Sequence, residues 1–399
     1  MHRVLVVHNA YQQRGGEDSV VEAEVALLRA RGHDVDLHSR HNDEIASIGR
    51  IALAADTLWS RASARALADH IARFAPDVVH VHNTFPLISP SAYWAAHRAR
   101  VPVVQTLHNF RLFCPQAMLL RDGRVCEDCV GRLPWPAVRH GCYRGSPAQT
   151  AVIAGMQVLH RSIGTWQRRI HRYIALNEFC RSKFIEAGLP AERVAVKPNF
   201  VDFPAPPSES PRDGLLFVGR LSPEKGVDTL AQAAARLRRQ DAGAATVRVA
   251  GSGPESHRLE SQPGVALLGS LGGDAVREQM LRARALVMPS IWYENFPRTL
   301  VEAFACGLPV IASRIGALAE LVDDGRTGLL FEPGNADDLA DKMRWVLAHP
   351  QRVRRMGDAA RAEYEARYTP SRNYEQLIRI YDAAIADHRA LHSGAAASA

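Results

Sequence analysis

Two cations, Arg220 and Lys225, stand five residues apart in Gly219-Arg220-Leu221-Ser222-Pro223-Glu224-Lys225-Gly226, directly after the apolar run Leu215–Val218. A strand-to-helix loop of this kind combines glycines for close backbone approach, a helix N-terminus and two positive charges, which are the parts of a diphosphate clamp. Further along, Glu294 and Glu302 bracket Asn295-Phe296-Pro297-Arg298-Thr299. Pro297 suits the first turn of a helix, which places Glu294 in the loop ahead of it and Glu302 about two turns in. The two carboxylates could accept hydrogen bonds from hydroxyls at separate points of an elongated polyhydroxylated ligand, with the amides of Phe296, Arg298 and Thr299 lining an anion-friendly helix start. As a bare pair of acids they mean little, because surface glutamate is the default. Their weight comes from position, between a strand ending at Met288 and the turn Gly307-Leu308-Pro309.

The elements that must hold these groups follow from periodicity. In the first half, short β-branched runs (Arg3–Val7, Asp34–His38, Val78–Val81, Val103–Leu107, Tyr173–Leu176) alternate with amphipathic stretches at Asp18–Arg31, Ala62–Ala75 and Pro90–Arg100. In the second half, strands at Leu215–Val218, Val247–Ala250, Val265–Leu268, Ala285–Met288, Pro309–Ala312 and Gly328–Phe331 alternate with helices near Val227–Arg239, Gly273–Arg284, Arg298–Cys306 and Ala336–Leu347. This order implies α/β architecture with parallel, doubly wound sheets and ligands off the carboxyl ends of the strands. At 399 residues with 47% hydrophobic composition the chain fits two domains rather than one core or a disordered polymer. The expected organisation is an N-terminal domain over 1–200, a proline-rich linker over 201–212, a second domain over 213–372, and a terminal helix (Tyr374–His388) with a small-residue, disordered tail within 373–399. Gly251-Ser252-Gly253 is a second strand-end loop, but a lone Gly-x-Gly lacks the full dinucleotide fingerprint and speaks against a dehydrogenase.

Taken together, Glu294-x7-Glu302, Gly219-Arg220-x4-Lys225-Gly226, the strand Gly307–Ser313 and Gly316-x3-Glu320 resemble the retaining glycosyltransferases of group 1, family 4, and the resemblance covers nearly the whole chain. It implies a GT-B fold, two Rossmann-like domains facing across a cleft, and transfer of a hexose from a nucleoside-diphosphate sugar to a hydroxyl. It also implies residue roles. Arg220 and Lys225 neutralise the leaving diphosphate, Glu294 touches the sugar hydroxyls and Glu302 holds the ribose. Gly219, Asn295, Phe296, Arg298, Thr299 and Glu320 complete the donor site. In the first domain, Gly15-Gly16 ahead of a helix reaches the donor phosphates, and His108 takes the place of the family's histidine near the donor sugar. Taken alone, the glycines could mark an ordinary turn and His108 a satisfied imidazole. Asn177-Glu178 and Ser182-Lys183 resemble a further cleft-lining segment. Two departures from the family pattern, Pro297 for a usual glycine and Gly316-Ala317 for a common Gly-Gly, bear on the identity of the sugar. No cofactor is expected in catalysis, because no Asp-x-Asp element lies at a strand end.

Charge is unevenly placed. Residues 1–200 hold 25 Lys/Arg against 17 Asp/Glu, and residues 201–399 hold 24 against 25. A basic first half suits an anionic partner such as a polyprenyl-diphosphate-linked acceptor, a glycan, an anionic membrane surface or nucleic acid. The segment Arg161–Arg172, with Ile163, Trp166 and Ile170 among arginines, has the pattern of a helix lying on an anionic bilayer; the alternative is a helix packed on its own domain. Cys114, Cys126, Cys129 and Cys142, separated by 11, 2 and 12 residues, have the spacing of a structural zinc site; buried thiols or a labile Cys126–Cys129 redox pair are the alternatives. Arg121-Asp122-Gly123-Arg124 between them reads as a hairpin turn. Val4–Val7 is too short for an export signal, and no run is long enough to span a bilayer, so a cytoplasmic, reducing location is expected. Rival readings are a sugar-nucleotide epimerase or phosphorylase on the same architecture, and a nucleic-acid-binding protein, which would leave Glu294-x7-Glu302 unexplained.

Overall fold

The structure, a computed structural model, describes residues 1–203, 212–240 and 246–396. Most of the linker expected over 201–212 lies outside the described residues, but Val201 at its start is buried and its carbonyl accepts a hydrogen bond from Tyr364 Oη at 2.9 Å. The chain divides into two compact units. One comprises Met1–Leu119, Glu127–Pro198 and the residues from Asn373 onward; the other comprises Leu120–Cys126 and Asn199–Arg372.

The N-terminal unit contains β1 (Arg3–Ala10), β2 (Asp34–His41), β3 (Val78–Asn83) and β4 (Val103–Thr106). Along the chain a two-stranded hairpin that belongs to the other unit follows, β5 (Leu120–Arg121) and β6 (Arg124–Val125), and the first unit resumes with β7 (Arg172–Ala175) and β8 (Val194–Val196). The hairpin turns at Asp122 and Gly123, both at positive φ (51° and 72°), as a two-residue connection requires. The six longer-range strands form one sheet in the order β2-β1-β3-β4-β7-β8, with every pairing parallel. Such a sheet is covered on both faces, which is why β1 and β3 are buried almost throughout. Val4, Val6, Val78, Val104 and Ile174 pack against Val21, Val25 and Leu28 of the helix Gly16–Ala30. Leu377, Ile380 and Tyr381 of the last helix, Pro370–Ala396, join the same core. The terminal helix thus completes the first sheet instead of standing apart. The expected disordered tail is helical through Ala396, and its remaining residues lie outside the described ones.

In the C-terminal unit β9 (Leu215–Val218), β10 (Val247–Ala250), β11 (Val265–Gly269), β12 (Ala285–Met288), β13 (Val310–Ser313) and β14 (Gly328–Phe331) form a sheet in the order β11-β10-β9-β12-β13-β14. This is the doubly wound order in which the topology reverses between the first and fourth strands. The helices Val227–Gln240 and Ala336–Ala348 cover one face through Leu230, Leu237, Leu339 and Met343. A helix over Pro350–Arg367, without a counterpart in the periodicity reading, packs its Val353, Met356 and Ala360 into the unit.

Candidate functional site

The ligand crevice of a doubly wound sheet lies where the strand order reverses, at the carboxyl ends. In the C-terminal unit that is the gap between β9 and β12, and both acidic and basic groups singled out from the sequence meet there. The loop after β9 ends at Gly226, whose φ is +70° and whose absent Cβ would come within 1.9 Å of Pro289 O. Only glycine lets this loop lie against the exit of β12, and Ile291 N–H donates to Glu224 O at 3.0 Å across the contact. Lys225 is thereby delivered to Glu294, Nζ to Oε1 2.6 Å, and Ser290 Oγ donates to the same oxygen at 2.7 Å. Glu294 is buried while a quarter of the Lys225 side chain is exposed, so the pair has a buried floor and a reachable cation. Lys225 Nζ also lies 5.7 Å from the Trp292 ring centroid. The Arg220 side chain is exposed and has no hydrogen bond or ion pair among the described residues, so its charge is available to an anion.

The Gly251-Ser252-Gly253 loop supports Arg220. A Cβ on Gly251 would stand 1.9 Å from Gly219 O and one on Gly253 2.3 Å from Leu221 O, and Leu221 N–H donates to Ser252 O. The second carboxylate, Glu302, sits in the helix Arg298–Ala305 and pairs with Arg298, Nε to Oε1 3.0 Å. Burial raises the Glu302 carboxyl above its ordinary range, with Arg298 opposing the shift. Pro297 occupies the position before the helix rather than its first turn, and no side chain caps the start, which leaves the amide end open to an anion. Phe296 packs toward Tyr368 with centroids 6.1 Å apart. Asn295 and Thr299 are half-buried, Gly219 N–H is committed to Ala250 O, and Glu320 is exposed.

In the N-terminal unit the order reverses between β1 and β3. Gly15 N–H is not free as expected: it donates to Asp18 Oδ2 at 2.7 Å in a capping box. Gly16 is exposed and a Cβ there would meet nothing within 4 Å, so internal packing does not demand glycine. His108, just past β4, is half-buried, with Nε2 2.9 Å from His82 Nδ1 on β3. Burial holds both imidazoles well below the ordinary histidine range, and that of His80 is lowered to about 4. His8 is also lowered by burial despite its 2.8 Å contact with Asp18. Beside this loop Glu17 is pushed up to about 8 by burial, against the opposing hydrogen bond from Tyr11 Oη. Sequence reading did not single out His80 and His82, yet two histidines alternating in an otherwise apolar strand covered on both faces were the available signal.

Other expected sites separate. Among the described residues the only group of three or more His, Cys, Asp or Glu donors within 4.8 Å of one another is Glu24, His80 and His82. Of the four thiols expected to hold zinc, Cys114 and Cys129 are buried and Cys126 and Cys142 half-buried. The Glu24 group offers a cation no place: Lys197 already pairs with Glu24, and His80 engages Tyr381 Oη and Thr106 Oγ1 through its two nitrogens. The bilayer-facing reading of Arg161–Arg172 is overturned. The helix Pro147–Ser162 ends, Gly164 turns at φ 73°, and Trp166 and Ile170 are buried, Trp166 lying 5.9 Å from Tyr93. Arg169 stacks 4.1 Å over Trp94. Ile163 stays partly exposed, and Leu133 and Trp135 are more so, 63% and 66%. Asn177 is a buried helix cap accepting from Cys180 N–H, Glu178 is exposed, and Lys183 pairs with Glu127 and Glu186.

Comparison with known proteins matches residues 14–203 to the family described as Glycosyltransferase Family 4 and residues 201–363 to Glycosyl transferases group 1. A D-inositol 3-phosphate glycosyltransferase of Nocardia farcinica is 33% identical over 46% of this chain and 43% of its own, so the chain spans less than half the length of that relative. An alpha-D-kanosaminyltransferase of Streptomyces kanamyceticus is 25% identical over 70% of each chain. Among solved structures, Anabaena HepE in complex with UDP-glucose superposes with a TM-score of 0.67 at 18% identity, covering 96% of this chain and all of the other. Sucrose-phosphate synthase of Thermosynechococcus elongatus gives 0.65 at 17% identity, with full coverage of both. At these identities the structures establish the fold, two parallel-sheet domains of GT-B type.

Proposed function

From the premise that this chain belongs to the group 1, family 4 glycosyltransferases, we propose that it transfers a hexose from a nucleoside-diphosphate sugar to an acceptor hydroxyl with retention of anomeric configuration. The observation that carries the reading is the Lys225–Glu294–Ser290 cluster at the β9/β12 reversal, with exposed Arg220 on the same loop. As the glycosidic bond to the donor breaks, negative charge grows on the departing diphosphate. Arg220 and Lys225 stabilise it from a backbone held by Gly226 and Gly251, so little reorganisation is needed. Glu294, already accepting from Lys225 and Ser290, has Oε2 left to accept from sugar hydroxyls, and Glu302 with Arg298 meets the ribose. Retention follows if the acceptor attacks the face the diphosphate leaves, with the leaving oxygen taking its proton. HepE, bound to UDP-glucose, supports a nucleotide-sugar donor.

For the acceptor, the basic first half supports an anionic glycan or polyprenyl-diphosphate-linked saccharide at the cytosolic face of a membrane. No described helix is long and apolar enough to cross one. Exposed Leu133 and Trp135, with Arg132 and Arg139 exposed close by in the sequence, are the residues that would meet an anionic bilayer. Salt-sensitive sedimentation with anionic vesicles, lost in Leu133→Ser/Trp135→Ser, tests this contact.

Thermal stabilisation by a panel of nucleotide sugars identifies the donor, and anomeric analysis of the product made from it tests retention. Release of nucleoside diphosphate that requires no acceptor hydroxyl, or an inverted product, would refute the reading. An epimerised donor without transfer would favour the epimerase alternative.

A further inference from the structure

The N-terminal unit contains a buried charge whose purpose the proposed chemistry leaves open. Glu24, on the helix Gly16–Ala30, is 1% exposed and Lys197, after β8, is fully buried. Lys197 Nζ binds Glu24 Oε1 and also donates to Asn373 Oδ1 of the last helix at 3.3 Å. Removing two charges from water is costly and seldom repaid in stability alone. The remaining oxygen, Glu24 Oε2, is buried without a hydrogen bond and faces His82 Nε2 at 3.5 Å and His80 Nδ1 at 3.9 Å. Both His80 nitrogens have partners already, Tyr381 Oη at 2.7 Å and Thr106 Oγ1 at 2.8 Å. His82 is therefore the ring whose proton answers the carboxylate.

A neutral imidazole has one N–H to place. With the His82 proton on Nε2, a donor faces the anionic oxygen; on Nδ1, a lone pair would face it in a medium of low dielectric. His82 Nδ1 is then an acceptor, and His108 Nε2, 2.9 Å away with the rings stacked, must donate to it. His108 Nδ1 is left with its lone pair. We propose that Glu24, held by Lys197, orients His82 and through it fixes His108 as the Nε2–H tautomer, so that His108 Nδ1 accepts a hydrogen bond from a hydroxyl of the donor sugar. The inference rests on the placement of His108 at the donor sugar. Burial keeps both rings neutral, and the nearby Lys197 ammonium disfavours a second proton on either. Glu24, His82 and Lys197 are positioning residues, touching no substrate themselves. The arrangement also selects: a lone pair on a neutral ring welcomes a hydroxyl and repels a carboxylate at the same point of the sugar.

The test is a long-range 1H–15N spectrum of the full-length, histidine-labelled protein at pH 7, with the His108 signals assigned by their loss in His108→Gln. A single neutral species with Nε2 protonated is expected in the wild type. In Glu24→Gln that purity should be lost and kcat/KM should fall about tenfold, as outer-shell changes do. A wild-type His108 protonated at Nδ1, or at both nitrogens, overturns the proposal without any assay. So does an unchanged His108 signal in folded Glu24→Gln. If His108 is Nε2–H but the protein releases no nucleoside diphosphate from any donor, the tautomer stands and the transferase reading fails, so the two failures are distinguishable.

Discussion

The two sheet reversals are built from the same topology and treat charge in opposite ways. At the β9/β12 reversal cations are offered to solvent: Arg220 is exposed and Lys225 rests on a buried carboxylate with its own stem partly in water. At the β1/β3 reversal the charges are withdrawn, with Lys197 and Glu24 closed on each other beneath neutral histidines. A group that must meet a developing negative charge needs a full positive charge within reach. A group that must present a lone pair in one direction needs a dry, neutral environment instead. Exposure and burial are thus different solutions to different tasks on similar sheets.

The comparison breaks most readily at Lys197. Lys197→Ala should leave Glu24 an uncompensated buried anion and cost roughly 3–5 kcal/mol in unfolding free energy, read by urea denaturation. A loss under about 1 kcal/mol would show that the pair is not charged. Next, Arg220→Ala should lower kcat/KM about 10²–10³-fold while leaving the thermal midpoint unchanged, because the side chain is exposed and pairs with no other described residue. A loss of stability with full activity would place Arg220 in the structure and not in the site.

Acid sharpens the same contrast. The folded pKa of His80 lies at about 4, below its ordinary value of 6.5, so the unfolded chain binds the proton first. Stability should therefore be at full strength above pH 6.5 and decline as pH falls toward 4, with His80 alone costing on the order of 3 kcal/mol at the acid end. His82, His108 and His8 add in the same direction. Denaturation midpoints measured across that window check the sign. Gly226→Ala should cost at least about 1–2 kcal/mol from its left-handed backbone alone, more from the Pro289 contact, and lower turnover by displacing Lys225.

Much of the frame was legible along the chain. The strands Leu215–Val218, Val247–Ala250, Ala285–Met288 and Gly328–Phe331 fall where the apolar runs end at glycine, proline or polar residues, and the Asp122-Gly123 turn follows from residues that tolerate positive φ. The donor motifs were legible for the same reason, each being a short strand-to-helix loop. Arg161–Arg172 was misread because an amphipathic pattern states that one side is covered and not by what. Trp166 finds Tyr93 and Ile170 is fully buried, so neither faces lipid.

What this sequence determined by itself was the alternation of strands and helices, the position of each turn, and the residue types at each carboxyl-end loop, all properties of neighbouring residues. What only the tertiary structure decided was which distant groups meet. Lys225 reaches Glu294 across 69 positions, Lys197 reaches Glu24 across 173, and Tyr381 caps His80 across 301. Those meetings depend on strand order and on the last helix returning to the first sheet, and on burial strong enough to make an unpaired charge costly. Local propensity carries none of that information, because the free energy of a buried contact belongs to both partners and to the solvent they exclude.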